Sequence, residues 1–409
     1  MLDYKNSILH IENLAINEIA KKVGTPFYCY SKKQFENNYK EFKQNFSDYP
    51  TTICFAVKSC PNIHILKLLA SLGSGADTVS QGEIIRALKA GIKPEKIVFS
   101  GVGKTKEEIK FALQKNIGQL NAESLEELEI IDKIAGLLKK KAKVSLRVNP
   151  DVDGKTHEKI TTGRKHDKFG IPLEDAKKYY DSAAKLDNIK IEGIACHIGS
   201  QITDIEPFKQ AFQKVAEFAN TLKKRGFELK RLDLGGGVGI KYKNEETISI
   251  KDYAKAIISA VKSTGLKLFL EPGRRISGDA GILVTEVQFI KNTGERQFAI
   301  LDAGMNDLAR PAIYGAYHEI IQVRDKDGEK KNYDIVGPVC ESSDIFGRDR
   351  KLFDLKAGEL LVILNAGAYG ASMASNYNTR PLIPEILVDD KKFKIIRRRQ
   401  KISEIFEYE

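Results

Sequence analysis

From about residue 50 to 275 the chain repeats one pattern. A short apolar run meets a polar or glycine-rich turn, and a stretch with apolar residues at helical spacing follows. The runs are ICFAVK (53–58), GADTVS (75–80), KIVFSG (96–101), IGQLNAE (117–123), KVSLRVN (143–149), IEGIACHIG (191–199), RLDLGGG (231–237) and KLFLEPGR (267–274). Between them lie segments such as SLEELEIIDKIAGLLKK (124–140), with the period of an amphipathic helix. Eight strands alternating with helices over this span predict an α/β fold, a (β/α)8 TIM-like barrel, whose usual size is about 250 residues.

After Arg274 the alternation stops. GILVTEVQFI, RQFAILDAG, YDIVGPVC, ELLVILNAG and EILVDD are strand-like and separated by turn signals, which predicts an all-β domain of sandwich or barrel-like type.

Two glycine-rich stretches imitate nucleotide motifs and fail on single residues. GGGVGI has Ile240 where the last glycine of a dinucleotide fingerprint belongs, and VFSGVGKT has Val98 where a phosphate-binding loop needs its first glycine. Composition narrows the class further. With 42% hydrophobic and 30% charged residues the chain reads as a soluble globular enzyme. No window is apolar enough to span a bilayer, and the start, MLDYKNSILH, lacks a signal-peptide core, so the expected location is cytoplasmic, without membrane association. The cysteines at 29, 54, 60, 196 and 340 show neither CxxC nor Cys/His ligand spacing, so reduced thiols are expected and no metal site. Net charge is +11, yet the one dense basic cluster, KKFKIIRRRQK (391–401), alternates with Phe393, Ile395 and Ile396 as an amphipathic terminal strand or helix does. No nucleic-acid motif accompanies it.

In a barrel of this kind the C-terminal strand ends build the active site. Here those ends carry Lys58, Asp77, Arg147, His197, the glycines 235–237, Glu271 and Arg274. Each alone has an ordinary structural explanation, as a snorkelling lysine, a helix cap, a core histidine, a tight turn or a surface ion pair. Together they have a chemical logic. A cleft-facing amine can form a Schiff base with a carbonyl, a flat imidazole can lie against an aromatic ring, and glycine N–H groups can approach a phosphate. A carboxylate at Glu271 can hold a pyridine nitrogen protonated. These are the parts needed to bind pyridoxal 5'-phosphate as an electron sink.

The motifs GTPFYCY (24–30), FAVKS (55–59), HIGSQ (197–201), GGG (235–237), EPGR (271–274), GPVCESSD (337–344) and GAYGASMASNYN (367–378), in this order, carry a resemblance covering nearly the whole chain. The sequence resembles the barrel-type pyridoxal-phosphate enzymes, the fold-type III family of alanine racemase and the basic amino-acid decarboxylases. Within it, the sequence is most similar to the diaminopimelate decarboxylases. The resemblance implies a barrel of the alanine-racemase type over residues 27–280 and a C-terminal β-domain over 281–409, which residues 1–26 join. It implies that Lys58 carries the cofactor, His197 stacks on its ring and Glu271 binds the ring nitrogen, with Asp77 and Arg147 supporting. Ser200, Gly236, Gly237, Gly273 and Arg274 would hold the phosphate, with Tyr369 nearby.

The same resemblance makes Cys340 a general acid supplied by the partner subunit, so that a homodimer with shared active sites is expected. It implies decarboxylation of meso-diaminopimelate to L-lysine, with Arg274, Arg310 and Tyr314 binding the distal carboxylate and Glu341 the distal amine. Tyr369 also borders the substrate. Segment 148–170 fits that pattern, and without the resemblance it reads as a polar loop beside the site. Ser59–Cys60 departs from the Ala–Asn of many relatives, and Cys54 and Cys60 have only a packing account. A decarboxylase for ornithine, arginine or carboxynorspermidine would share all but the distal pocket. A racemase would need a second acid/base residue, for which the sequence offers no obvious candidate.

Overall fold

Each of the eight predicted runs is a parallel strand in the computed structural model, which describes residues 1–154, 162–163 and 166–409. The strands are Thr51–Ala56, Gly75–Thr78, Ile97–Phe99, Gln119–Ala122, Ala142–Asn149, Ile189–Ala195, Arg231–Asp233 and Lys267–Leu270. Each pairs with its neighbour in chain order, and Lys267–Leu270 returns to pair with Thr51–Ala56, which closes the barrel. Several of the helices that follow these strands begin at a hydroxyl. Ser80, Thr105, Ser124 and Ser249 accept the N–H of Glu83, Glu108, Glu127 and Asp252, and Thr105 with Glu108 forms a full capping box. Each such cap is worth about 1 kcal/mol and fixes where the chain turns from strand to helix at the rim.

Across the barrel interior runs a buried polar layer. Gln119 and Asn121 donate their amides to Asp233 Oδ2 at 2.9 and 3.0 Å, although their strands are not neighbours in the sheet. Above this layer the strand ends form the rim.

The compact barrel unit comprises Asn38–Ile240 and Glu246–Arg275. The second unit comprises Met1–Asn37, Lys241–Glu245 and Ile276–Glu409. Its sheet is built around the long strand Gly281–Asn292, which pairs with Gln297–Leu301, Leu360–Ile363 and Phe27–Ser31. Phe27–Ser31 also pairs with Glu385–Asp389, so residues 27–37, read from sequence as the start of the barrel, pack with the β-sheet instead. Residues 276–280 do likewise: Ala280 O accepts the Ser31 N–H at 2.9 Å. The core beneath joins Leu9, Ile11, Ile16 and Ile19 of the N-terminal segment to Phe27, Ile282, Val284, Val362 and Ile386. The first part of the basic cluster near the C-terminus is the strand Lys392–Arg397. Ile345–Phe353 is a strand that the sequence pattern did not reveal. It lies at the sheet edge, and its Arg348, Asp349, Arg350 and Lys351 keep the polar character that discourages edge pairing.

Candidate active site

Lys58 lies two residues beyond its strand. Thr51–Ala56 ends, and Val57–Ser59 forms a single 3-10 turn that lifts the amine to the rim. Its Nζ is 2.6 Å from Asp77 Oδ2, with the lysine side chain 39% exposed and the aspartate 1%. The carboxylate anchors the amine from inside the barrel and leaves it approachable from the rim. Asp77 Oδ1 is buried with no hydrogen-bond partner.

Glu271 follows Lys267–Leu270 directly. Its Oε1 is also buried without a partner. Burial, then the charges of Asp233 and Asp77, push the Glu271 carboxyl well above the usual range. Burial likewise raises Asp233 to about 6, against the hydrogen bonds it accepts from Asn121 and Gly235. His197 stands two residues past Ile189–Ala195. Burial first, then the cations Arg147 and Lys58, hold it well below its ordinary value, so the ring is neutral. Its Nδ1 accepts the Gly236 N–H at 3.3 Å, which puts the ring hydrogen on Nε2.

The glycine turn is as tight as the sequence suggests. A Cβ at Gly236 would overlap the Glu271 carbonyl, and Gly237 has φ of +112°, open only to glycine. Arg274 donates to Ser200 Oγ through Nη2 at 3.1 Å, and Gly273 packs against Ala56 and Ser59 of the Lys58 turn. Arg147 is buried, paired with Glu123 Oε1 at 3.1 Å and laid over the Phe169 ring at 4.8 Å. Glu123 Oε2 accepts the Gly170 N–H at 2.8 Å. Of segment 148–170, residues 155–161, 164 and 165 lie outside the described residues; Thr162 donates to the His197 carbonyl at 2.9 Å.

In the β unit, Cys340 does not end a strand as YDIVGPVC suggested. The strand Lys330–Val336 stops earlier, and Cys340 is exposed on the following loop. Asp344 braces that loop, accepting the N–H groups of Val339 and Met305, each at 2.7 Å. The Cys340 N–H donates to Asn378 Oδ1 at 2.9 Å. The Glu341 carboxylate is held below its ordinary range by the hydroxyls of Ser343 and Tyr377. Arg310 opens the short helix Arg310–Tyr314; it is buried, over the Tyr242 ring and bonded to His318. Tyr314 is half-buried. Tyr369 is held at φ +56°, a left-handed conformation that costs a non-glycine residue on the order of 1 kcal/mol.

Residues 16–278 match the family described as pyridoxal-dependent decarboxylase, pyridoxal binding domain. The chain is 47% identical over 407 residues to the diaminopimelate decarboxylase of Aquifex aeolicus, covering 99% of this chain and 96% of that one. The Haemophilus influenzae enzyme of the same name is also 47% identical, over 99% of this chain and 98% of its own. Among solved structures, diaminopimelate decarboxylase from Helicobacter pylori complexed with L-lysine superposes with a TM-score of 0.93 at 45% identity, covering 95% of this chain and 98% of that one. This chain belongs to the diaminopimelate decarboxylase family.

The family's cofactor, pyridoxal 5'-phosphate, fits what the rim offers. An unpaired buried carboxylate oxygen costs about 1–3 kcal/mol, and a ring-nitrogen N–H at Glu271 Oε1 relieves that cost. Several residues that hold these side chains within their own units escaped the sequence reading. Asp233 had a signal, a carboxylate inside the apolar run just before the glycines. Glu123, Asn121 and Asp344 had none beyond being polar, because their importance lies in partners distant in sequence.

Proposed function

We propose that this protein decarboxylates meso-diaminopimelate at its D centre, giving L-lysine and CO2, as a cytoplasmic homodimer with shared active sites. The observation that carries the reading is the barrel rim: an approachable amine on a buried carboxylate, a neutral imidazole, a glycine turn and a carboxylate oxygen without a partner. It occurs in a chain whose near-full-length relatives are named for this reaction.

Lys58 holds the cofactor through its amine, Glu271 its ring nitrogen and His197 its ring face. Ser200, Gly236, Gly237, Gly273 and Arg274 hold its phosphate, with Tyr369 beside them. When bound, the cofactor supplies an electron sink for the pair left on Cα as CO2 departs. The remaining work belongs to this chain's side chains. Asp77 keeps Lys58 oriented through the ion pair. Neutral His197 covers a ring without adding a charge that would oppose a protonated ring nitrogen. Burial keeps His197 neutral, and Arg147, pinned by Glu123, adds its positive charge to that effect. Arg274, Arg310 and Tyr314 bind the distal carboxylate, which suits guanidinium geometry, and Glu341 binds the distal ammonium. Cys340 of the partner subunit delivers the proton to Cα; its exposure suits a residue that serves a neighbouring copy.

The test is product analysis after parallel incubation of cofactor-loaded protein with meso-diaminopimelate, ornithine and arginine. L-Lysine from the first alone is expected. Diamines from the others and no lysine would retain the roles of the rim and overturn those of Arg310 and Glu341.

A further inference from the structure

We propose that His318 is a positioning residue that fixes the Arg310 guanidinium in the orientation that receives the substrate's distal carboxylate; this rests on the role given to Arg310 above. His318 is fully buried. Its Nδ1 lies 2.7 Å from the Leu364 carbonyl oxygen, which can only accept, so Nδ1 carries the hydrogen. Its Nε2 lies 2.8 Å from Arg310 Nη1, which can only donate, so Nε2 is bare. The two partners together specify one neutral tautomer, with its lone pair aimed at the arginine.

Tyr242 fixes the other degree of freedom. Its ring centroid is 4.7 Å from Arg310 Cζ and 5.3 Å from the His318 ring, which meets it at 77°. The imidazole therefore holds the guanidinium edge and the phenol ring holds its face. A buried arginine has many rotamers to lose, and a planar fork misplaced by a small rotation no longer meets both carboxylate oxygens. Local chain geometry makes the pairing possible. The helix Arg310–Tyr314 ends at Gly315 with φ of +59°, and the chain turns back so that His318 returns to the helix's first residue.

Steady-state kinetics of the holoenzyme on meso-diaminopimelate tests this with His318→Phe, His318→Gln, Arg310→Gln and the double variant. His318→Phe raises KM about 10- to 100-fold with little change in kcat, the loss expected of one hydrogen bond to a charged group. His318→Gln, whose amide oxygen can accept from Arg310, recovers most of that loss. In the Arg310→Gln background, His318→Phe has no further effect on KM. Should His318→Phe fail to fold, His318→Asn carries the same test, since it keeps a donor for Leu364 but is too short for Arg310. An unchanged KM in the His318 variants beside a raised KM in Arg310→Gln overturns the proposal, as do additive effects in the double variant. An unchanged KM in Arg310→Gln instead overturns the distal-carboxylate role itself.

Discussion

Asp77 Oδ2 receives the Lys58 ammonium at 2.6 Å, while Oδ1 of the same carboxylate is buried with no partner. The pair is asymmetric in exposure, with the carboxylate sealed inside the barrel and the amine reaching the rim. A lysine that only needed a counter-ion could have found one at the surface at no desolvation cost. This one is held from below and presented above.

Lys58→Arg keeps the charge and the ion pair but removes the primary amine. Turnover falls by at least about 10³-fold, and the visible absorption of lysine-linked cofactor disappears. Spectra and rates of the purified variant check this.

Glu271→Gln separates function from stability. The variant loses the carboxylate that keeps a ring nitrogen protonated, so kcat falls by about 10²-fold or more. In the cofactor-free protein the same change removes a buried acid beside Asp233 and Asp77 that must keep its proton at a pH where the unfolded chain would lose it, and it raises Tm by about 2–4 °C at neutral pH. Paired activity and melting measurements check both halves.

The pH dependence follows with a definite sign. Burial raises Glu271, Asp233 to about 6 and Glu83 to about 7, so the folded chain holds these protons more tightly than the unfolded chain does. The stability of the cofactor-free protein therefore falls as pH rises from the ordinary carboxylate range toward about 7. Loading the cofactor flattens this slope, because a ring N–H favours ionised Glu271. Melting curves across that range, with and without cofactor, read the difference.

Much of this was legible in the sequence because its signals are local. Eight apolar runs, each ending in a turn, mark the barrel strands, and Lys58, His197, Glu271 and the glycines stand at or just past strand ends. What was not legible depends on partners distant along the chain. Phe27–Ser31 is buried at every position like a barrel strand, and only its pairing with Gly281–Asn292 and Glu385–Asp389 assigns it to the β unit. Asp233 becomes informative once Gln119 and Asn121 reach it across the barrel. Cys340 reads as a strand end until Asp344 is seen bracing a loop around it.

The proposed sharing of active sites between subunits predicts that inactive variants complement each other. Cys340→Ala and Lys58→Arg are each nearly inactive, yet mixing them under subunit exchange restores about a quarter of wild-type activity. That figure follows because half of the reassorted dimers hold one intact site of two. No recovery would place Cys340 and Lys58 of one chain in the same site.

The most direct measurement is mass spectrometry of the products when the cofactor-loaded protein consumes meso-diaminopimelate in deuterated water. The account predicts L-lysine bearing one carbon-bound deuterium, formed in equal amount with CO2. Failure to release CO2, or unchanged diaminopimelate beside diamines made from ornithine or arginine, would contradict it.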